Sequence, residues 1–141
     1  MRIVVGVLLI IHGLITALQA SGSFNPTGGT PNPKWVSWWP TALGQSWLLA
    51  RLGLERSWVG ALAGVLWLIS AAGLIAAALG LFGLIVPAPW WRTLAGAGAV
   101  TSLVLFILYA HPLYAIGIGA NIAILLVLLW LKWPPLGAFG S

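Results

Sequence analysis

Apolar residues run almost unbroken through four segments, approximately residues 3–19, 58–86, 90–110 and 114–131, and polar positions gather between them. A helix needs about 20 apolar residues to cross roughly 30 Å of hydrocarbon, so the segments have the length of membrane spans. Lipid leaves a backbone only two ways to satisfy its hydrogen bonds, the helix and the closed barrel. These runs lack the strict alternation of a membrane β-strand. The pattern therefore predicts an all-α, integral membrane antiparallel four-helix bundle forming a single membrane domain over residues 1–141. Ala20-Ser21-Gly22 could pass for a signal-peptidase site, but Leu18 suits the position before such a cut poorly, so the first segment is expected to be a retained helix.

Residues 20–57 form the one long connection. Its first half, Ser21 to Pro33, is dense in Gly, Pro, Asn and Ser and predicts irregular chain. Its second half holds Trp35, Trp38, Trp39 and Trp47, then a Leu- and Arg-patterned stretch to Arg56. Indole rings favour the headgroup zone, where the ring is apolar and the N–H still finds a partner. A short interfacial helix is expected over about residues 43–54, in the first loop. Pro87-Ala88-Pro89 marks a tight turn, His111-Pro112 ends the third span, and Lys132-Trp133-Pro134-Pro135 closes the fourth.

Composition sharpens this picture by exclusion. Charged residues are 5% of the chain, against about 25% in a soluble domain. The net charge of +5 comes from Arg2, Lys34, Arg51, Arg56, Arg92 and Lys132, all at span ends or in connections. They form no stripe that would track phosphates, so nucleic acid is excluded as a partner, and membrane lipids are the expected one. Basic residues are tied at three on each side. The N-terminal amine and the longer first loop tip the expected topology towards cytoplasmic termini in a bacterial cytoplasmic membrane. With no cysteine, thiolate metal sites and disulfides are excluded. The sole carboxylate side chain, Glu55, lies outside all four spans, which removes the carriers of carboxylate-based proton pumping.

Candidate chemistry is sparse. His12, Thr16 and Gln19 fall at i, i+4 and i+7 of the first span, on one helix face. Ser70, Thr101, Ser102 and Asn121 lie inside the other three. If the helices pack in chain order, all approach one interior zone. Such residues either seat the head of a lipophilic ligand, such as a quinone carbonyl, or tie helices together at about 0.6 kcal/mol per contact. His12 is expected to face the interior as a neutral imidazole, since no acid in the spans would pair with its charged form. Haem or chlorophyll ligation by His12 or His111 is disfavoured, because their depths differ by about 10 Å at 1.5 Å per residue. Other lipid, quinone or pigment contact is compatible with these residues, and no metal site is expected.

Small residues form a second constellation. Gly60 and Gly64 open the second span, with Ala72, Ala76 and Gly80 continuing at four-residue spacing. Such faces allow close helix approach within the chain, in a homo-oligomer or against a protein partner. With the four tryptophans of the first loop, Gly60 and Gly64 are the interface candidates.

The run Ile3 to Gln19, with His12-Gly13 at its centre, resembles the first helix of DoxX-like small four-helix membrane proteins. The stretches Trp58 to Leu68 and Trp90-Trp91-Arg92 are similar to proteins near that group. Two departures stand out: Thr16 replaces a lysine common after the His-Gly pair, and the acidic residue common early in the second helix is missing. The resemblance implies a redox-associated protein acting beside quinones. The residues themselves favour a non-catalytic accessory subunit of a larger respiratory or photosynthetic assembly, because no nucleophile–base pair is legible. A small-solute transporter is disfavoured, since no charged ring or broken helix marks a pathway.

Overall fold

The computed structural model describes residues 1–25 and 28–132. Trp133-Pro134-Pro135 and the tail to Ser141, like Pro26 and Thr27, lie outside the described residues. The described chain is helical, with α1 (Arg2–Phe24), the short α2 (Trp47–Arg51), α3 (Ser57–Phe82), α4 (Trp91–Leu108) and α5 (Ala115–Ile124). A π-helical stretch, Leu125–Trp130, prolongs α5. Among the described residues, four helices are long and apolar enough to cross a membrane: Arg2–Phe24, Ser57–Phe82, Ala88–Leu108 and Pro112–Trp130. Their outward side chains, Val7, Leu14, Leu18, Leu62, Ile69, Val104 and Ile107 among them, are as apolar as the core. A surface of that kind is stable in hydrocarbon and aggregates in water.

Packing follows the small residues. Gly6 of α1 lies against the Phe82 ring, Gly13 against Ala71, Leu74 and Ile75, and the Phe24 ring fills the space above Gly64. Numbers therefore fall along α3 as they rise along α1. A Cβ on Gly13 would stand 2.9 Å from Ile75 and 3.2 Å from the Ala71 carbonyl, so glycine sets the helix spacing there. On the other flank of α3, Ser70 Oγ donates to the Gly98 carbonyl at 2.7 Å, and Gly98 itself has no room for a side chain. α4 then packs on α5, whereas α5 meets α1 only lightly.

Three boundaries differ from the sequence expectation. The first span runs on to Phe24, through Ser21, Gly22 and Ser23, instead of ending near residue 19. Ser21 Oγ folds back to the Leu18 carbonyl at 2.8 Å, and Ser23 Oγ receives the Trp67 indole N–H at 3.0 Å, so tertiary contact overrides breaker composition. The second span stops at Phe82 rather than residue 86, because Gly83 takes a left-handed cap at φ +70. The short loop helix covers Trp47–Arg51, not residues 43–54. Leu43 is paired with Thr30 through two backbone hydrogen bonds of 3.1 Å, Ser46 serves as N-cap, and Gly53 at φ +66 ends the turn.

The core divides into two apolar clusters. One gathers Leu9, Leu74, Ala77, Ala78, Leu81, Trp91, Ala95 and Leu128. The other gathers Ala20, Ala63, Trp67, Leu105, Phe106, Tyr109 and Tyr114. Between them along each helix fall the buried polar residues His12 and Thr16, Ser70, Ser102, and Asn121.

Candidate functional site

Of the polar residues at this middle level, one pair joins the helices that otherwise barely touch. His12 Nε2 stands 2.9 Å from Asn121 Oδ1, linking α1 to α5. The carboxamide oxygen is an acceptor, so the Nε2–H of the imidazole is the donor of this bond. The Asn121 side chain is wholly buried, and its Nδ2 has no partner among the described residues. A buried N–H left unpaired costs about 1–3 kcal/mol. It is tolerated where a further acceptor arrives or where function retains it.

His12 borders a cleft of about 450 Å³ between α1 and α5, which Asn121 itself does not line. Val5, Leu8, Ile11 and Ile15 line one wall, Ile116, Ala120, Ala123 and Val127 the other, and His12 supplies its polar point. That volume falls in the range of small-molecule sites, about 300–1,000 Å³. At 1.5 Å rise, the cleft runs ~15 Å from Val5 to Ile15, and His12 lies about 10 Å above Val5. The π-helical stretch supplies Val127 and Leu128 to the wall. Such irregular turns widen a helix and recur at functional sites.

The other predicted members do not converge on the cleft. Thr16 Oγ1 donates to the His12 carbonyl of its own helix at 2.8 Å, and Ser102 Oγ bonds the Ala99 carbonyl at 3.4 Å. Ser70 ties α3 to α4, and Thr101 is half-buried on α4. The Gln19 carboxamide folds onto the Ile15 carbonyl at 3.2 Å on the outer surface, so it leaves the interior cluster. Gly60 and Gly64 are both buried within the chain, Gly64 beneath the Phe24 ring, and their face is occupied internally. Trp35 and Trp38 are each 68% exposed and remain the open interface candidates. Trp39 is half-buried, and the Trp47 indole N–H donates to the Ile107 carbonyl at 3.0 Å.

A second histidine–asparagine pair, which the sequence pattern did not single out, closes the other end of the bundle. His111 is 4% exposed and caps the turn Pro112–Tyr114 that opens the fourth span, its Nδ1 accepting the Leu113 amide at 3.2 Å. Its Nε2 therefore carries the proton and donates to Asn32 Oδ1 at 3.0 Å. Asn32 Nδ2 donates in turn to the Thr41 and Trp39 carbonyls, at 2.9 and 3.3 Å. Burial pushes the His111 pKa below the ordinary histidine value. Asn32 read only as one more turn residue in a breaker-rich stretch. Its signal was the lone histidine at the far corner, whose partner no local pattern reveals.

Edge-on ring contacts connect that corner to the core. Trp67 meets Phe106 at 4.9 Å between centroids, Phe106 meets Tyr114 at 5.2 Å, Tyr114 meets His111 at 5.9 Å, and His111 meets Trp39 at 6.2 Å. With both ring nitrogens engaged, His111 has none free for a pigment or haem metal. Among the described residues, no group of three or more His, Asp or Glu is placed to hold a metal ion. Glu55 lines a recess of about 10 Å³ beside Ser46, Arg56 and Tyr109, room for a water molecule and no substrate. The chain matches no protein-family model, and no curated protein or solved structure is significantly similar to it.

Proposed function

We propose that the chain is a non-catalytic accessory subunit of a bacterial cytoplasmic membrane assembly, and that its α1–α5 cleft receives a lipophilic ligand. The four spans form an antiparallel bundle with cytoplasmic termini, and the short α2 lies at the membrane surface. The head of the ligand, a quinone ring or another hydrogen-bonding group, sits at His12, whose ring Asn121 holds from behind the cleft wall, and its tail follows the apolar walls.

One observation carries this reading: the half-satisfied His12–Asn121 pair beside an apolar cleft that the chain itself leaves open. The pairs Gly6–Phe82, Gly13–Leu74 and Gly64–Phe24 support opposed directions for α1 and α3. The resemblance of Ile3 to Gln19 to the DoxX-like group is in keeping with a quinone-type ligand. Exposed Trp35 and Trp38 favour the accessory role, since they offer a neighbouring subunit an aromatic docking surface.

The test is purification in mild detergent followed by mass spectrometry of extracted lipids and co-purifying proteins. A lipophile retained by the native chain is expected to be lost in Ala123→Trp, which fills the cleft without touching the polar pair. Equal retention by both proteins would overturn the ligand reading. A chain that copurifies with no stoichiometric partner would overturn the accessory role.

A further inference from the structure

His111 is placed where one proton breaks one structural tie and puts a second at risk. It is the side-chain N-cap of the fourth span through Nδ1, and through Nε2 it holds Asn32 in the long first connection. Only the neutral imidazole does both, because Nδ1 accepts from the Leu113 amide only while it bears a lone pair. A proton on Nδ1 would set donor against donor. It would also place positive charge at a helix N-terminus, where the backbone dipole already points its positive end.

Among the described residues, none of the groups seen to contact His111 offsets that charge. The groups facing His111 are Asn32 and Trp39 from the first connection and the Leu113 amide and Tyr114 from the corner itself. None of them is charged near neutrality. Tyr109, at the end of α4, turns its hydroxyl to Ser23. A ring that swings away from the Leu113 amide on protonation also abandons Asn32. Ile116, two residues beyond Tyr114, lines the end of the α1–α5 cleft.

We propose that His111 is a proton-operated clasp: when neutral it caps the fourth span and pins the first connection, and when protonated it frees both and loosens the Ile116 end of the cleft. The coupling to the cleft rests on the ligand reading above, whereas the clasp itself does not.

The test uses the full chain in lipid nanodiscs. With only two histidines, a nitrogen-15 histidine spectrum resolves His111 directly. It is expected to carry its proton on Nε2 at pH 7 and to titrate below the ordinary histidine range. Hydrogen exchange at Leu113, corrected for intrinsic chemistry, is expected to speed at least about tenfold between pH 7 and pH 4.5, the factor that one pKa unit supplies. A nitroxide at Trp38→Cys should gain mobility over the same range, and one at Ile116→Cys should follow if the cleft is coupled. His111→Asn keeps a capping side chain that does not titrate, and it should hold Leu113 protection constant with pH. Protonation of His111 with unchanged Leu113 exchange, or the same acid loosening in His111→Asn, would overturn the clasp. Ligand retained by Ala123→Trp at pH 7 would remove the ligand reading and leave the clasp to be judged by Leu113 exchange alone.

Discussion

The molecule contains the same residue pair twice, once at mid-span and once at an end of the bundle, and the two differ in what they leave unbonded. At the α4–α5 corner, His111 and Asn32 use both ring nitrogens and both carboxamide atoms. In the middle of the spans, His12 and Asn121 share one bond, and the Asn121 N–H is buried without a partner among the described residues. The His111–Asn32 pair is saturated and fixes geometry, although Trp39 Nε1 and Thr41 Oγ1 beside it are buried without a partner among the described residues. The unsaturated pair reaches an open apolar cleft through His12 and has hydrogen-bonding capacity left over. The difference separates a structural joint from a candidate binding site more reliably than residue type does, since the types are identical.

If that distinction holds, damage to the saturated pair should cost stability first. Asn32→Ala removes the Oδ1 acceptor from the buried His111 Nε2–H and the Nδ2 donor from the Trp39 and Thr41 carbonyls. A loss of about 2 kcal/mol is expected, the scale for leaving buried groups unpaired. Thermal unfolding in detergent, followed by circular dichroism, checks this. Ligand retention at pH 7 should fall far less than stability. An unchanged melting temperature would mean that the corner is not a joint.

The next largest effect is on pH dependence. Burial lowers the His111 pKa in the folded chain below its value in the unfolded chain. The unfolded chain then binds the proton more readily, so acid favours unfolding. Stability should be level above the ordinary histidine pKa of about 6.5 and fall as pH drops from there towards the lower folded value. Loss of the Leu113 bond sets a scale of about 1 kcal/mol. His111→Asn should flatten the curve between pH 7 and pH 5. A curve of the same slope in that variant would assign the dependence elsewhere.

The sequence made the spans legible because their cause is local: uninterrupted apolar runs with no charge inside are read directly as helices of membrane length. Helical periodicity put His12 and Thr16 on one face, and both are buried, as is Asn121 within its apolar run. What escaped was non-local. Ser23 stays helical because Trp67 reaches it from α3, and Asn32 becomes structural only because His111 comes from the far end of the chain. The helix expected over residues 43–54 shrank for the same reason, since Leu43 pairs with Thr30 and Ser46 Oγ donates to the Leu108 carbonyl. Gln19 fell away from the site through a local competitor, its own helix backbone at Ile15. Small-residue spacing was legible in Gly60 and Gly64, but spacing does not say whether the facing helix belongs to the same chain. Here Phe24 fills that space.

The smallest stability effect is expected where the comparison is most discriminating, in the double variant His12→Leu with Asn121→Leu. Removing one member alone would strand the other's polar atoms in the core, which confounds the pair with its penalty. Replacing both deletes the bond together with the orphaned N–H, and leucine keeps the branched outline of asparagine. Interhelical hydrogen bonds in membranes contribute about 0.6 kcal/mol on average, so the melting temperature should barely move. Retention of the co-purified lipophile should drop at least about tenfold, the equivalent of roughly 1.4 kcal/mol of lost contacts to its head. Retention and melting temperature measured on the same preparation separate the outcomes. A protein that keeps its ligand but melts early would make His12–Asn121 a second joint, equivalent to the corner pair. One that keeps its fold and loses its ligand would show that the unsaturated pair is where this chain meets another molecule.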